Sequence, residues 1–223
     1  MPCNMYKTET HLHVSEVSAC SRLSAEEMVK LYFEAGYRTI FVSDHFKQNY
    51  FDSLGDIAWE EKIKNFLSGY RKAKALASQY GMHVLLAAEV TLVPNHYLLY
   101  GVTEEFLCKF PALYNMEKDR FYEAAKEHGI FVVQAHPFRD GKCVPTPQYA
   151  DGFEIYNSNP RHNDFNDKAE NIAKENGLYI TAGSDAHRLE DIAGSGILTE
   201  AEIKTTEDFV NVIKGGAFQI IRG

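Results

Sequence analysis

Short runs of β-branched and apolar residues alternate with segments of helical period along the chain, and no other feature constrains the fold as tightly. The strand-like runs are Lys7–Leu12, Thr39–Ser43, His83–Glu89, His96–Tyr100, Ile130–Ala135, Phe153–Tyr156, Leu178–Ala182 and Ala217–Ile221. Between them the pattern predicts helices over Ala25–Ala35, Ile57–Gln79, Glu117–His128, Asp164–Asn176 and Thr206–Lys214. Ser24 and Glu27 have capping-box spacing, and Gly36, Gly81, Gly129 and Gly177 stand where helices should stop. Such alternation implies βα units around a parallel sheet. About seven units suit a small closed barrel, and an open doubly wound sheet would satisfy the same pattern. With no Ser/Pro-rich linker, low-complexity stretch or repeat, residues 1–223 are expected to form one α/β domain.

Composition removes several functions. The 223 residues carry a formal charge of −8, which argues against a basic stripe for long nucleic acid or an anionic membrane. A small anionic substrate stays open, because a few local cations can outweigh the global balance. The first ten residues lack the apolar core of a secretory leader, and runs such as Val84–Ala88 and Ile130–Val133 are too short to span a bilayer. Cys3, Cys20, Cys108 and Cys143 are scattered and form no CxxC pair, so they are expected to be reduced thiols of a cytoplasmic protein. A homo-oligomer is compatible with this composition.

The polar residues fall in a consistent place. His11 and His13 end the first strand, Asp44 and His45 follow the second, Glu89 ends HVLLAAE, His136 ends IFVVQA, and Asp185 and His187 follow Leu178–Ala182. His96 is the exception, since it opens its run. Alternate strand residues point to the same side, so His11 with His13, and Asp185 with His187, can each chelate one ion. Imidazole with carboxylate suits Zn, Mn or Fe, and a carboxylate such as Glu89 can bridge two ions. A lone HxH, an Asp-His turn or a His before Pro is each more often structural. Their recurrence on successive strand ends is what points to metal. His83 and His128 fit no such site and are read as structural; His162, in a loop, is read as a substrate or supporting contact.

This ordered set resembles the PHP family, named for polymerase and histidinol phosphatase. The motifs are HxH at His11/His13, SDH at Ser43–His45, Glu89, His96, AHP at Ala135–Pro137 and GSDAH at Gly183–His187. The resemblance implies a distorted TIM-like barrel of the (β/α)7 type with a trinuclear metal site at the C-terminal mouth. It also implies that His11, His13, Glu89 and Asp185 hold one ion, that Glu89, His96 and His136 hold a second, and that His45 and His187 hold a third. The family completes the third site with an Asp or His shortly after HxH. Here the segment is Val14-Ser15-Glu16-Val17-Ser18-Ala19-Cys20, so Glu16 is the expected substitute and Cys20 the next. Val14 also replaces a common Thr.

The chemistry expected of two or three divalent ions is hydrolysis of a small phosphomonoester. Water between the metals becomes acidic enough to attack phosphorus, with Glu89 and Asp185 at the reacting centre. Arg139 is placed to bind phosphate by a bidentate fork, with Arg161, Arg188, Lys47 and Lys142 as lesser candidates. Asp44 is expected to orient His45 or nearby backbone. Two other readings fit the same residues: hydrolysis of an amide, ester or lactone, and a metal-binding regulatory protein without catalysis.

Overall fold

The computed structural model describes residues 5–223. Cys3 lies outside the described residues. Ten strands form one strongly curved sheet: β1 (Tyr6–Leu12), β2 (Tyr37–Val42), β3 (His45–Phe46), β4 (His83–Leu92), β5 (Asn95–Tyr100), β6 (Phe131–Ala135), β7 (Gly152–Asn157), β8 (Tyr179–Gly183), β9 (Ser195–Thr199) and β10 (Gln219–Arg222). The helices are α1 (Ala25–Glu34), α2 (Gln48–Ser53), α3 (Trp59–Phe66), α4 (Ser68–Ala77), α5 (Glu104–Lys109), α6 (Lys118–Glu127), α7 (Asn166–Glu175) and α8 (Thr206–Gly215). The strand order is β10-β9-β1-β2-β4-β5-β6-β7-β8, with β3 paired to β4.

The sheet nearly closes where β8 meets β1. Thr10 Oγ1 donates to the Ala182 carbonyl at 2.8 Å, and the His13 N–H donates to the Ala186 carbonyl at 3.0 Å. Gly183 makes this approach feasible, because a Cβ there would come within 2.5 Å of His11 Cβ and 2.9 Å of Glu154 Oε1. Inside the barrel, Phe41, Tyr100 and Phe209 form an aromatic cluster with centroids 4.7–5.1 Å apart, so α8 closes the end opposite the strand-end ligands with its Phe209 side.

The expected α/β barrel is thus present, with two corrections. The sheet is not all parallel: β5 runs antiparallel to β4 and β6, and β9 runs antiparallel to β1 and β10. The long helix expected over Ile57–Gln79 is two helices, α3 and α4, joined at Leu67. The junction lets Ile63 and Phe66 enter the core beside β4 and β5, while Ala73 and Ala77 pack against α1 and β2. Gly69 sits where α4 crosses the first loop, and a Cβ there would overlap Val14 Cγ2.

Candidate metal centre

Eight side chains converge at the C-terminal mouth of the barrel. His11 and His13 leave the end of β1, and His45 follows β2. Glu89 lies within β4, beside β3. Because β5 runs antiparallel, His96 near its start lies at the same mouth, opposite Thr91 of β4 and Ala135 of β6. That is why His96 broke the strand-end rule without leaving the site. His136 and Asp185 follow β6 and β8 with φ values of 30° and 50°. Non-glycine residues rarely hold that conformation, and here both turn a donor side chain at a strand end.

The donors crowd one another. His11 Nε2 lies 3.1 Å from His13 Nε2, 3.5 Å from Asp185 Oδ1 and 3.6 Å from Glu89 Oε1. Asp185 Oδ1 is 3.1 Å from His13 Nε2. Glu89 Oε1 is 3.1 Å from His136 Nε2 and 3.5 Å from His96 Nδ1, while its Oε2 rests against His45 Nδ1. His13 stacks between His45 and His187, with centroids 4.1 and 4.3 Å away. Four triads offer ligand atoms within 4.8 Å of one another: His13-His45-His187, His11-His13-Glu89, His11-His136-Asp185 and His45-Glu89-His96. These overlap the grouping expected from the sequence but share His11, His13 and His45 differently among the sites.

The electrostatics of this cluster are those of a cation site. Burial opposes the charge on His11, but Glu154, Asp185 and Glu89 outweigh it and raise its pKa to about 10. His45 goes to about 9, because Glu89 outweighs the cost of burial. His136 falls to about 3 through burial and the nearby Arg139 charge. Burial works against ionised Glu89 and Asp185, yet both stay well below the usual carboxylate range, Glu89 through His45 and His96 and Asp185 through Arg139 and His11. Glu89 Oε2 and Asp185 Oδ1 are buried without an aligned hydrogen-bond donor. Buried carboxylate oxygens left without donors are costly, and imidazole nitrogens at 3.1 Å repel unless a proton or a cation lies between them. The donor set therefore fits divalent metal ions.

The supporting ring fixes these ligands. Glu154, in the middle of β7 and fully buried, meets His11 Nδ1 at 2.9 Å through Oε1; its Oε2 accepts from the His136 N–H at 3.1 Å and Asn157 Nδ2 at 2.9 Å. His187 Nδ1 lies 2.8 Å from the Asp185 carbonyl, which fixes the tautomer that leaves Nε2 facing the site. Glu9, below the metal ligands, accepts from Tyr32, Ser184 and the His11 N–H; burial lifts its pKa to about 7 against those bonds. Glu9 and Glu154 were not among the expected site residues. Both are carboxylates in strand interiors rather than at strand ends, and in the largely apolar run of β7 the lone Glu154 was the available signal.

Other expected residues are placed as follows. Glu16 is not in the cluster: its Oε2 accepts from the Ala25 N–H at 3.0 Å, at the start of α1, and its Oε1 lies 3.6 Å from Lys72. The helix N-terminus competes successfully for this carboxylate. Asp44 Oδ1 accepts from the Val14 N–H and Ser18 Oγ, so it braces the loop after β1. Arg139 is almost buried and spans Asp164 at 2.8 Å and Asp185 at 2.6 Å. Arg161 pairs with Asp191, which also accepts from the His187 and Arg188 N–H groups. Lys47 stands at the start of α2, apart from the cavity beside the cluster. That cavity, about 360 Å³, is lined by Cys20, His45, Arg139, Asn159, Arg161, His162, His187 and Arg188. His162 also meets Asp140 at 2.9 Å, His83 meets Glu202, and His128 bonds back to the Ala124 carbonyl. Cys20, Cys108 and Cys143 are free thiols. Among the described residues, no helix is long and apolar enough to cross a membrane.

Comparisons with known proteins agree with this architecture. Residues 163–218 match the PHP-associated family model PHP_C. No curated protein matches the chain. Among solved structures, a two-domain Bacteroides vulgatus protein containing a predicted PHP-like metal-dependent phosphoesterase is 15% identical with a TM-score of 0.70; the match covers 98% of this chain and 65% of that one. PsfC from Pseudomonas syringae is 16% identical with a TM-score of 0.70, over 99% of this chain and 92% of that one. A lesion-specific endonuclease from Pyrococcus furiosus is 16% identical with a TM-score of 0.66, over 97% of this chain and 58% of that one. This chain thus spans less than two thirds of the Bacteroides and Pyrococcus proteins. At these identities the structural likeness shows the fold alone, and the matched segment, about a quarter of the chain, is similar to the PHP-associated family.

Proposed function

We propose that this protein is a metal-dependent phosphoesterase acting on a small phosphomonoester. The observation that carries the reading is the position of the donor cluster against a cavity walled by Arg139, Arg161 and Arg188. Two or three divalent ions of the Zn, Mn or Fe type, held by His11, His13, His45, Glu89, His96, His136, Asp185 and His187, would acidify water and offset charge on the phosphate oxygens.

The chain's own groups do the rest. Glu154 holds His11 by Nδ1, so Nε2 faces the site. Arg139 is held by Asp164 and Asp185, and its guanidinium forms part of the cavity wall at little entropic cost. Arg161, Arg188 and Asn159 line the same cavity and present donors to phosphate oxygens. A space of about 360 Å³ suits a small ligand and would not take a nucleic-acid duplex. Three arginines at the mouth favour an anion over a neutral amide or lactone, despite the acidic chain.

The test is a panel of phosphomonoesters, beginning with an aryl phosphate, assayed with added Mn²⁺ or Zn²⁺. The expected result is turnover that a chelator abolishes and His136→Ala removes. No turnover across the panel by fully metal-loaded protein would overturn the reading, and turnover of an amide or lactone panel instead would move the chemistry to a different bond.

A further inference from the structure

The loop after β1 was expected to supply a ligand through Glu16, and that carboxylate is spent on α1 and Lys72. The same loop brings Cys20 to the mouth. Cys20, His45 and His187 line one cavity. The loop is built to hold it there. The Ser21 N–H donates to the Ser18 carbonyl at 2.8 Å, Ser21 Oγ donates to the His13 carbonyl at 3.0 Å, and the Arg22 N–H donates to the His187 carbonyl at 2.8 Å. Cys20 is thus pinned between the segments that carry His13 and His187.

The imidazoles beside it point independently to a cation site. His45 Nε2 and His187 Nε2 face each other at 3.4 Å. The Nδ1 of His187 lies on the Asp185 carbonyl, which leaves its Nε2 as a lone-pair donor facing His45, and His45 Nδ1 is buried without a hydrogen-bond partner. Two lone pairs at that distance repel unless a cation or proton lies near. The wholly buried His13 completes a triad whose ligand atoms lie within 4.8 Å of one another, and Asp185 Oδ1, buried and without an aligned donor, is 3.1 Å from His13 Nε2.

We propose that Cys20 is a metal ligand whose thiolate joins His45 and His187 around a thiophilic divalent ion. The proposal rests on the metal-centre reading above and adds a sulfur donor to it. On coordination the thiol proton leaves to solvent and the sulfur lone pair binds the ion. A thiolate among imidazoles favours Zn²⁺, Fe²⁺ or Co²⁺ over Mn²⁺ at this position, while the carboxylate-rich positions remain open to Mn²⁺.

Cobalt substitution tests it without relying on turnover. The full chain is stripped with chelator and titrated with Co²⁺, with absorbance followed in the visible and the near ultraviolet. The expected result is visible ligand-field bands plus a near-ultraviolet sulfur-to-cobalt charge-transfer band. Cys20→Ser, a change at an exposed loop position, should abolish the charge-transfer band, keep ligand-field bands from the remaining sites, and bind one Co²⁺ fewer. Ligand-field bands without the charge-transfer band in the unaltered protein would overturn the proposal and leave the metal centre standing. A charge-transfer band that survives Cys20→Ser would overturn it too, by assigning the sulfur to another cysteine. Failure to take up Co²⁺ at all would overturn both this proposal and the metal-centre reading.

Discussion

Replacing Glu154 with Gln changes one heavy atom's identity and almost no volume, so its effect isolates charge and hydrogen-bond polarity. Glu154 is fully buried and works in two directions. Oε1 meets His11 Nδ1 at 2.9 Å, and Oε2 accepts from the His136 N–H and Asn157 Nδ2. A glutamine can satisfy only one side. If its carbonyl faces His11, its NH₂ faces two donors, leaving both without an acceptor at a cost of about 1–3 kcal/mol each. If the amide flips, its NH₂ donates to His11 Nδ1 and forces the proton onto Nε2, the atom facing the metal ligands. Either orientation weakens the site. The expected outcome for Glu154→Gln is a metal affinity lowered by about 10–100-fold, the usual effect of losing a partner behind a ligating histidine. Competition with a chromophoric chelator reads the affinity directly, and thermal unfolding of the metal-free protein separates the folding cost. Unchanged affinity in a folded variant would refute the claim that Glu154 sets the orientation and tautomer of His11.

Three further outcomes follow from the structure. Gly69→Ala should destabilise the protein by about 1–3 kcal/mol in denaturant unfolding, because the new Cβ meets Val14 where α4 crosses the loop after His13; full stability would mean the crossing is looser than described. Metal-free protein should lose stability as pH rises above about 6.5. His11 at about 10 and His45 at about 9 hold protons more tightly folded than unfolded, so the stability they confer is complete below about 6.5 and is lost towards pH 10. Below about 6.5 Glu9, raised to about 7, acts with the same sign while His13 and His136, held below their ordinary value, act against it, so the sign is read above about 6.5; metal loading should flatten the slope there by displacing the histidine protons, and a metal-free melting temperature that climbs over that range would contradict the sign. Arg161→Ala should raise KM for the phosphomonoester about ten-fold with a smaller change in kcat, and an unchanged KM would remove Arg161 from the substrate site.

How much of this was legible in the sequence depended on where each residue stood in its strand. The rule that polar residues cap buried strands found His11, His13, His45, Glu89, His136, Asp185 and His187, because a βα barrel sends its strand ends to one mouth. His96 broke the rule for a reason the local pattern does not contain: β5 runs backwards, which depends on pairing with β4 and β6. Glu154 and Glu9 escaped because they sit inside strands, behind the metal ligands rather than beside them. Glu16 was misjudged because its spacing from HxH suited a ligand, while the start of α1 offered the same carboxylate a backbone donor. The break at Leu67 was missed because both α3 and α4 are amphipathic and read as one continuous helix; Ser68-Gly69 just after the junction was the available signal. The strand β9 was hidden for the opposite reason. It contains Gly196, which reads as a turn, and a Cβ there would collide with the Thr8 carbonyl of β1.

Metal content per folded chain tests the central claim most directly. Protein purified without chelator, loaded with Zn²⁺ or Mn²⁺ and desalted, should retain two to three equivalents by elemental analysis, and the paired substitution of His13 and Asp185 by Ala should reduce that number. Less than one equivalent on protein shown to be folded would contradict the account, because the converging imidazoles and donorless carboxylate oxygens at the barrel mouth would then be held together by protons alone.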